Sequence, residues 1–375
     1  MLIFCTIIVF LVVVKIAWVF FATRGQGSIE KEKSQLLNRA NYLVSKISTS
    51  PEQLINKMPS SIGEQFQGEW ALYSCSMTTA GLVNIALQFP EEKDSCIKHI
   101  DQIIEIALSE KIREYDTQRW GEDPLESLEG DRSHISYLSH LAWMISGYKQ
   151  ISTDNKYDTL YHSLCETMNR RIQQSEMLNL PTYPGEPIYV PDMLVAIVAL
   201  ANYSRQNNGK YSQTVNQWIE RAQKEWLDKK TGLLVSYLPN DSSMSVKGSY
   251  SSLNCYYLTF IDKIFAEDQY TKLKAIFFQT SPLTGIKEYY DKTCWLGFDI
   301  DAGPIIFNLS PSGTAFVVGS ATFFDDKSVR SGALRTAEMA GSTVTWNGKS
   351  HYLLANVALV GEAIMLAMRT TVEWK

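Results

Sequence analysis

Two kinds of helix alternate along this chain, and that alternation constrains the fold more than any other feature. Residues 133–148 and 192–203 are apolar around nearly their whole circumference. Residues 155–171 and 212–227 follow them with one apolar and one polar face. A helix that is hydrophobic on all sides belongs inside a protein, and one with a polar face belongs at its surface. The apolar spacing i, i+3, i+4, i+7 extends the pattern to residues 34–47, 69–88, 94–112, 249–265, 269–279, 312–324, 327–340 and 353–368. Strand-like stretches are short and lie between helices, at residues 233–238, 286–290 and 342–346.

About six helices of each kind follow one another, at irregular spacings of roughly 45 to 65 residues per pair. Solenoid repeats are shorter and more uniform. The expected fold is all-α: an (α/α)6 toroid of inner and outer helices over residues 34–375. Its long loops, such as the polar stretch 113–131, should gather at one mouth, where a pocket is expected.

The first residues form a separate unit. Residues 1–22 are almost unbroken apolar, with Lys15 the one charge, a length that suits a single membrane-spanning anchor. A cleaved signal peptide is the rival reading, but no basic side chain precedes the apolar run. The expected organisation is an anchor over residues 1–24, a linker over 25–33 and the barrel. Arg24, Lys31 and Lys33 follow the span, which favours a cytoplasmic C-terminal side.

Composition removes other classes. With 45% hydrophobic and 20% charged residues, the chain is globular rather than disordered. A net charge of -5 argues against nucleic acid as a partner. Six cysteines in 375 residues are not a disulfide framework. There is no CxxC pair, HExxH, phosphate-binding glycine loop or GxSxG, so neither a metal nor a cofactor is expected.

The polar residues at the starts of apolar helices are the informative ones. The first group holds Trp120, Glu122, Asp123 and Glu126, then His134 and His140. The two histidines are six apart and cannot form an i, i+4 metal pair. His140 is either a hydrogen-bonded core histidine or a general acid/base. The second group runs Tyr183-Pro184-Gly185-Glu186-Pro187 to Asp192. Asp192 is placed to cap the helix after it, and it would face the cavity if that helix starts at the funnel wall. In the third group, Asp299 and Asp301 stand in an apolar stretch that opens with Trp295. They would share a face of an extended strand, as caps and turn formers or as the paired carboxylates of a glycosidase.

These positions also carry a family resemblance. Trp120-Gly121-Glu122-Asp123-Pro124-Leu125-Glu126, Tyr137-Leu138-Ser139-His140-Leu141, Gly147-Tyr148 and Asn155-Lys156-Tyr157-Asp158 resemble the linalool dehydratase/isomerase family. Tyr73-Ser74, Ser249-Tyr250 and Asp299 to Gly303 extend the likeness from about residue 70 to 368. The resemblance implies an (α/α)6 barrel that performs cofactor-free acid/base chemistry on a terpene alcohol. It implies an active-site histidine at His140, a pocket tyrosine at Tyr250, and a homo-oligomer in which one subunit acts on its neighbour's site. Where the family has two cysteines nine apart, this chain has Tyr183 and Asp192, which shifts the pocket toward polar substrates.

The catalytic candidates are therefore His140, Asp192, Tyr250 and Asp301. Tyr73, Trp120, Asp123, Tyr183, Glu186, Trp295 and Asp299 are the candidates for binding a small substrate, terpenol-like or saccharide. The resemblance favours a lyase or isomerase. Paired carboxylates in a toroid would otherwise suggest a glycan hydrolase, lyase or epimerase. A membrane-tethered binding protein without activity is the non-enzymatic alternative.

Overall fold

The computed structural model describes residues 2–23, 29–59, 63, 65–239, 246–356 and 359–375. The helices in chain order begin with α1 (Leu2–Ala22), α2 (Ile29–Ile47), the short α3 (Pro51–Ile55), α4 (Gln65–Gln88) and α5 (Lys93–Ala107). Next come α6 (Glu110–Trp120), α7 (Ile135–Ile151), α8 (Asp158–Gln174), α9 (Val190–Gln206) and α10 (Ser212–Glu225). The last are α11 (Gly248–Leu258), α12 (Lys263–Phe277), α13 (Pro311–Phe323), α14 (Lys327–Gly341) and α15 (Leu359–Thr370).

Six of them close a ring. α4 packs on α7, α7 on α9, α9 on α11, α11 on α13, α13 on α15, and α15 returns to α4. Each carries an outer partner: α5 on α4, α8 on α7, α10 on α9, α12 on α11, α14 on α13 and α2 on α15. This is the expected (α/α)6 toroid, with the first outer helix covering the last inner one. Burial explains the sorting. In α7 only Lys149 and Gln150 are not buried, whereas α10 buries one stripe from Thr214 to Ala222. Close approach at the closure depends on glycine. A Cβ on Gly81 of α4 would lie 2.7 Å from Leu366, and one on Gly147 of α7 would lie 2.9 Å from Trp374 and Val83.

Several boundaries differ from the expectations. The helix foreseen over 94–112 is two helices, because Ser109 caps a new start through its Oγ and the Ile112 amide. Part of the foreseen loop 113–131 is therefore helix, which ends at Gly121 with φ of 76°. The helix foreseen over 249–265 stops at Leu258, because the Asp262 carboxylate caps α12 through the Ile264 and Phe265 amides. Residues 29–33 of the foreseen linker already belong to α2, and residues 25–28 lie outside the described residues.

Four short antiparallel pairs decorate the connections. They are β1 (Ile188–Tyr189) with β2 (Tyr237–Leu238), β3 (Phe278–Gln279) with β4 (Gly285–Ile286), β5 (Leu296–Asp299) with β6 (Gly303–Ile306), and β7 (Thr343–Trp346) with β8 (Lys349–Tyr352). Each outer helix after α2 packs on the inner helix before it and runs back along it. All six outer-to-inner connections therefore emerge at one face, the mouth.

α1 leans on the mouth end of α14. Lys15 Nζ donates to the Glu338 carbonyl (3.1 Å) and to Ser342 Oγ, and Trp18 Nε1 donates to Glu338 Oε1 (3.1 Å). Val19 is buried there. Among the described residues no helix is long and apolar enough to cross a membrane. The one cation of α1, Lys15, is engaged by the barrel.

Candidate functional site at the mouth of the barrel

Four inner helices carry polar side chains in their N-terminal halves. α4 supplies Glu69 and Tyr73, α7 supplies Ser136 and His140, α9 supplies Asp192, and α11 supplies Tyr250. Residues three or four apart share a helix face. The stripes therefore continue downward as Tyr73 and Ser76, His140 and Trp143, and Tyr250 and Tyr257. Tyr73 and Tyr257 meet through their hydroxyls at 3.5 Å. His140 lies beneath Tyr73, with ring centroids 4.8 Å apart. Trp143 closes the shaft below, against Tyr256, Tyr257, Phe260 and Trp374.

The acids occupy the top of this shaft. Asp192 does not cap α9. The helix starts earlier, with Tyr189 at the cap position and Pro191 in the first turn. The carboxylate is left free to accept from Thr182 Oγ1 at 2.7 Å. Burial pushes the Asp192 pKa up to about 6, with the Thr182 bond opposing and the charges of Asp301 and Glu186 adding. Glu69 faces it from α4. Burial pushes Glu69 to about 8, and the charge of Asp192 adds to that. A hydrogen bond from the Tyr183 hydroxyl and the charge of Arg119 work against the rise. Glu69 Oε2 is sealed from solvent and has no hydrogen-bond partner.

The loop of the β5–β6 hairpin brings the third carboxylate. Lys247, just before α11, reaches Asp299 Oδ2 at 2.8 Å and Asp301 Oδ2 at 3.0 Å. Burial alone would lower the Lys247 pKa, but Asp301, Tyr237 and Asp299 outweigh it and hold the ammonium charged. Asp299 also accepts from the Asp301 and Ala302 amides, so it shapes the turn. Asp301 is left to face the Tyr250 hydroxyl. Behind Lys247, buried Glu288 accepts from Ser249, and burial raises its pKa to about 7. Tyr189, Tyr237 and Tyr250 stack edge to face, and the ammonium lies over the Tyr237 and Tyr250 rings.

The site thus gathers Asp192, Asp301, Asp299, Tyr250, Tyr183, Tyr73 and His140. His140 is not placed to act as a proton donor near neutral pH. Burial drops its pKa to about 3, and its Nδ1 is 2.9 Å from Ser76 Oγ. It is a neutral floor group. Four other candidates lie elsewhere. Asp123 binds Arg113 Nε and the Leu125 and Glu126 amides, and so holds its own loop. Glu186 is exposed on the rim and pairs with Arg119 at 3.0 Å. Trp295 is exposed on the hairpin and packs on Phe307. Trp120 lines a separate open cleft of about 490 Å³ with Glu122, Asp131, Arg132 and Leu180. The lining of that cleft includes none of Glu69, Asp192 and Asp301.

Sequence reasoning missed Glu69, Lys247, Arg119 and Glu288. The rule that found Asp192, a charged residue at the start of an apolar helix, applies equally to Glu69 and Lys247. Arg119 came within reach only because α6 replaced an expected loop and lays its guanidinium 3.9 Å over the Tyr183 ring. Cys75, Cys96, Cys165, Cys255 and Cys294 are free thiols, and among the described residues no group of three His, Cys, Asp or Glu side chains is placed to hold a metal.

No family model and no curated protein matches this chain. One solved structure that resembles it is an unsaturated glucuronyl hydrolase specific for heparin. The two superpose with a TM-score of 0.57 at 9% identity, over 90% of this chain and 96% of the other. At that identity the likeness establishes the shared toroid and nothing about shared chemistry.

Proposed function

We propose that this chain is a glycan-processing (α/α)6 enzyme, a hydrolase that works with protein carboxyls and no cofactor. One observation carries the reading. Two carboxyls face each other at the mouth of a closed helical ring, with pKa values of about 6 and about 8 that straddle neutrality. At pH 7 Asp192 is mostly ionised and Glu69 mostly protonated, which is the division of labour glycoside cleavage requires. Glu69 gives its proton to the leaving glycosidic oxygen as the C–O bond breaks. Asp192 takes a proton from the water that adds to the anomeric carbon. The tyrosines around the shaft offer flat faces and hydroxyls for sugar rings. The solved structure that resembles the chain is described as acting on a saccharide, which agrees with this reading.

The resemblance to linalool dehydratase/isomerases supplies a second reading, elimination of water from a terpene alcohol. The aromatic side chains around and below Tyr73 favour it, because their faces suit an unsaturated hydrocarbon. A panel of aryl glycosides and oligosaccharides, set beside linalool, separates the two. The glycan reading expects turnover of a glycoside that falls by about 10²–10⁴ in Asp192→Asn and Glu69→Gln. Both variants should keep the helical circular-dichroism signal. Turnover of linalool alone would overturn it.

A further inference from the structure

The large apolar side chains that remain exposed are not scattered. Outside α1 and among the described residues they are Trp295, Leu296, Phe298, Ile300, Ile306 and Phe307 in one group, and Trp346, Leu353 and Leu354 in another. Only Leu87 and Ile264 stand apart. Leu296 is 80% exposed and Trp346 78%. Both groups belong to outer-to-inner connections, the first leading to α13 and the second to α15. Both therefore ring the mouth, whereas Ile264 begins an outer helix at the opposite face.

α1 joins the same face. Lys15 and Trp18 fasten it to Glu338 and Ser342 at the mouth end of α14. The Leu353 amide donates to the Ser342 carbonyl at 3.1 Å, so the second apolar group starts where α1 docks. Five consecutive residues of α1, Phe10 to Val14, are exposed. Consecutive positions on a helix point in all directions. A protein groove covers one stripe of a helix, whereas a lipid phase covers every side at once. Exposed tryptophans at the rim suit the boundary between lipid and water.

We propose that the mouth of the barrel rests against a lipid surface, and that the saccharide it processes is carried by a lipid. The second clause rests on the glycan reading above, while the first does not. α1 and the two rim groups enter the same lipid face, so the shaft that ends in Glu69 and Asp192 opens toward the membrane plane. A lipid-linked sugar would then reach the acids without leaving the surface.

The test uses the full chain with phosphatidylcholine vesicles whose acyl chains carry bromine, which quenches nearby tryptophan emission. The wild type should be quenched, and Trp295→Phe with Trp346→Phe should remove about half or more of that quenching, the remainder coming from Trp18. Leu296→Ser with Leu353→Ser and Leu354→Ser should lower vesicle binding at least severalfold, while Ile264→Ser at the opposite face leaves it unchanged. The proposal is overturned if the paired tryptophan variant is quenched like the wild type. It is also overturned if the chain ignores vesicles and instead self-associates through these groups. Asp192→Asn separates the two ideas: it should abolish turnover and leave quenching intact. Quenching without turnover of any glycoside would sink the glycan reading and leave the orientation standing.

Discussion

Among the regions of this molecule that bury carboxylates, two do so to opposite effect. At the seam where α15 closes the ring, Glu32 of α2 meets Arg330 at 2.7 Å and Arg369 at 2.8 Å. Nearby, Arg39 pairs with Glu362 and donates to Thr343 at 2.7 Å, while Glu338 accepts from the Thr343 amide and hydroxyl. Burial works to raise the Glu32 pKa, but Arg369 and then Arg330 outweigh it and hold the carboxyl below its ordinary value. At the mouth, Glu69 and Asp192 are desolvated without a cation of their own, and both rise. The nearby cations are committed elsewhere, Lys247 to Asp299 and Asp301, and Arg119 to Glu186. A paired buried acid serves architecture, and an unpaired one is poised to exchange protons.

The largest expected effect breaks the seam. Arg369→Ala removes one of the two guanidiniums that hold Glu32, and leaves a buried charge half-compensated. The cost should be about 3–5 kcal/mol in urea unfolding. Glycoside turnover per folded molecule should change little, because the seam does not line the shaft. An equal loss of turnover at low denaturant would show that seam and mouth are one coupled network.

The next effect inverts the sign of pH dependence. Glu32 has a depressed folded pKa. Its contribution is fully present above the unfolded value of about 4.3 and is lost as pH falls through the folded value. Glu69 is raised to about 8. Its contribution is fully present below about 4.3 and is lost as pH rises through 8. Glu69→Gln should therefore unfold less readily than the wild type at pH 9, by about 1 kcal/mol after allowance for solvent screening. Thermal melts at pH 5 and pH 9 check this, and a variant less stable at pH 9 would contradict it. Turnover should move with the same pair. The wild-type profile should be a bell between about pH 6 and 8. Asp192→Glu, which keeps a carboxyl in a shifted setting, should displace the acid limb only.

This contrast also explains what could be read in advance. The ring was legible because all-round apolarity is a local property of a segment, visible in residues 133–148 and 192–203 without knowing any neighbour. Asp192 and Asp301 were legible because a charge among apolar residues stands out. The seam was not. Glu32, Arg39 and Arg330 look like ordinary polar faces of outer helices and Arg369 like a lone charge at the end of an inner one, and only the closing of the ring brings residues more than 290 positions apart into contact. Position on the mouth was equally hidden for Trp295 and Asp123. Both looked like substrate-binding residues, but Trp295 is on the outer rim and Asp123 ties a turn. The exposed hairpin β5–β6 was not foreseen, because Gly297, Gly303 and Pro304 obscure the alternation that marks a strand.

The smallest expected effect concerns His140, which lies in the mouth but is satisfied in the manner of the seam. Its ring is buried, its Nδ1 is bonded to Ser76, and its pKa of about 3 keeps it neutral throughout the range in which Asp192 and Glu69 titrate. His140→Gln keeps a hydrogen-bonding group at similar depth and should cost about 1 kcal/mol of stability. Turnover should fall less than tenfold, and both limbs of the pH profile should stay where Asp192 and Glu69 put them. Proton NMR of the His140 ring should show no titration between pH 5 and 8. If the acid limb moves in His140→Gln, or the ring titrates near 6.5, the histidine is the base, and the proton-exchanging pair must be redrawn with His140 in place of Asp192.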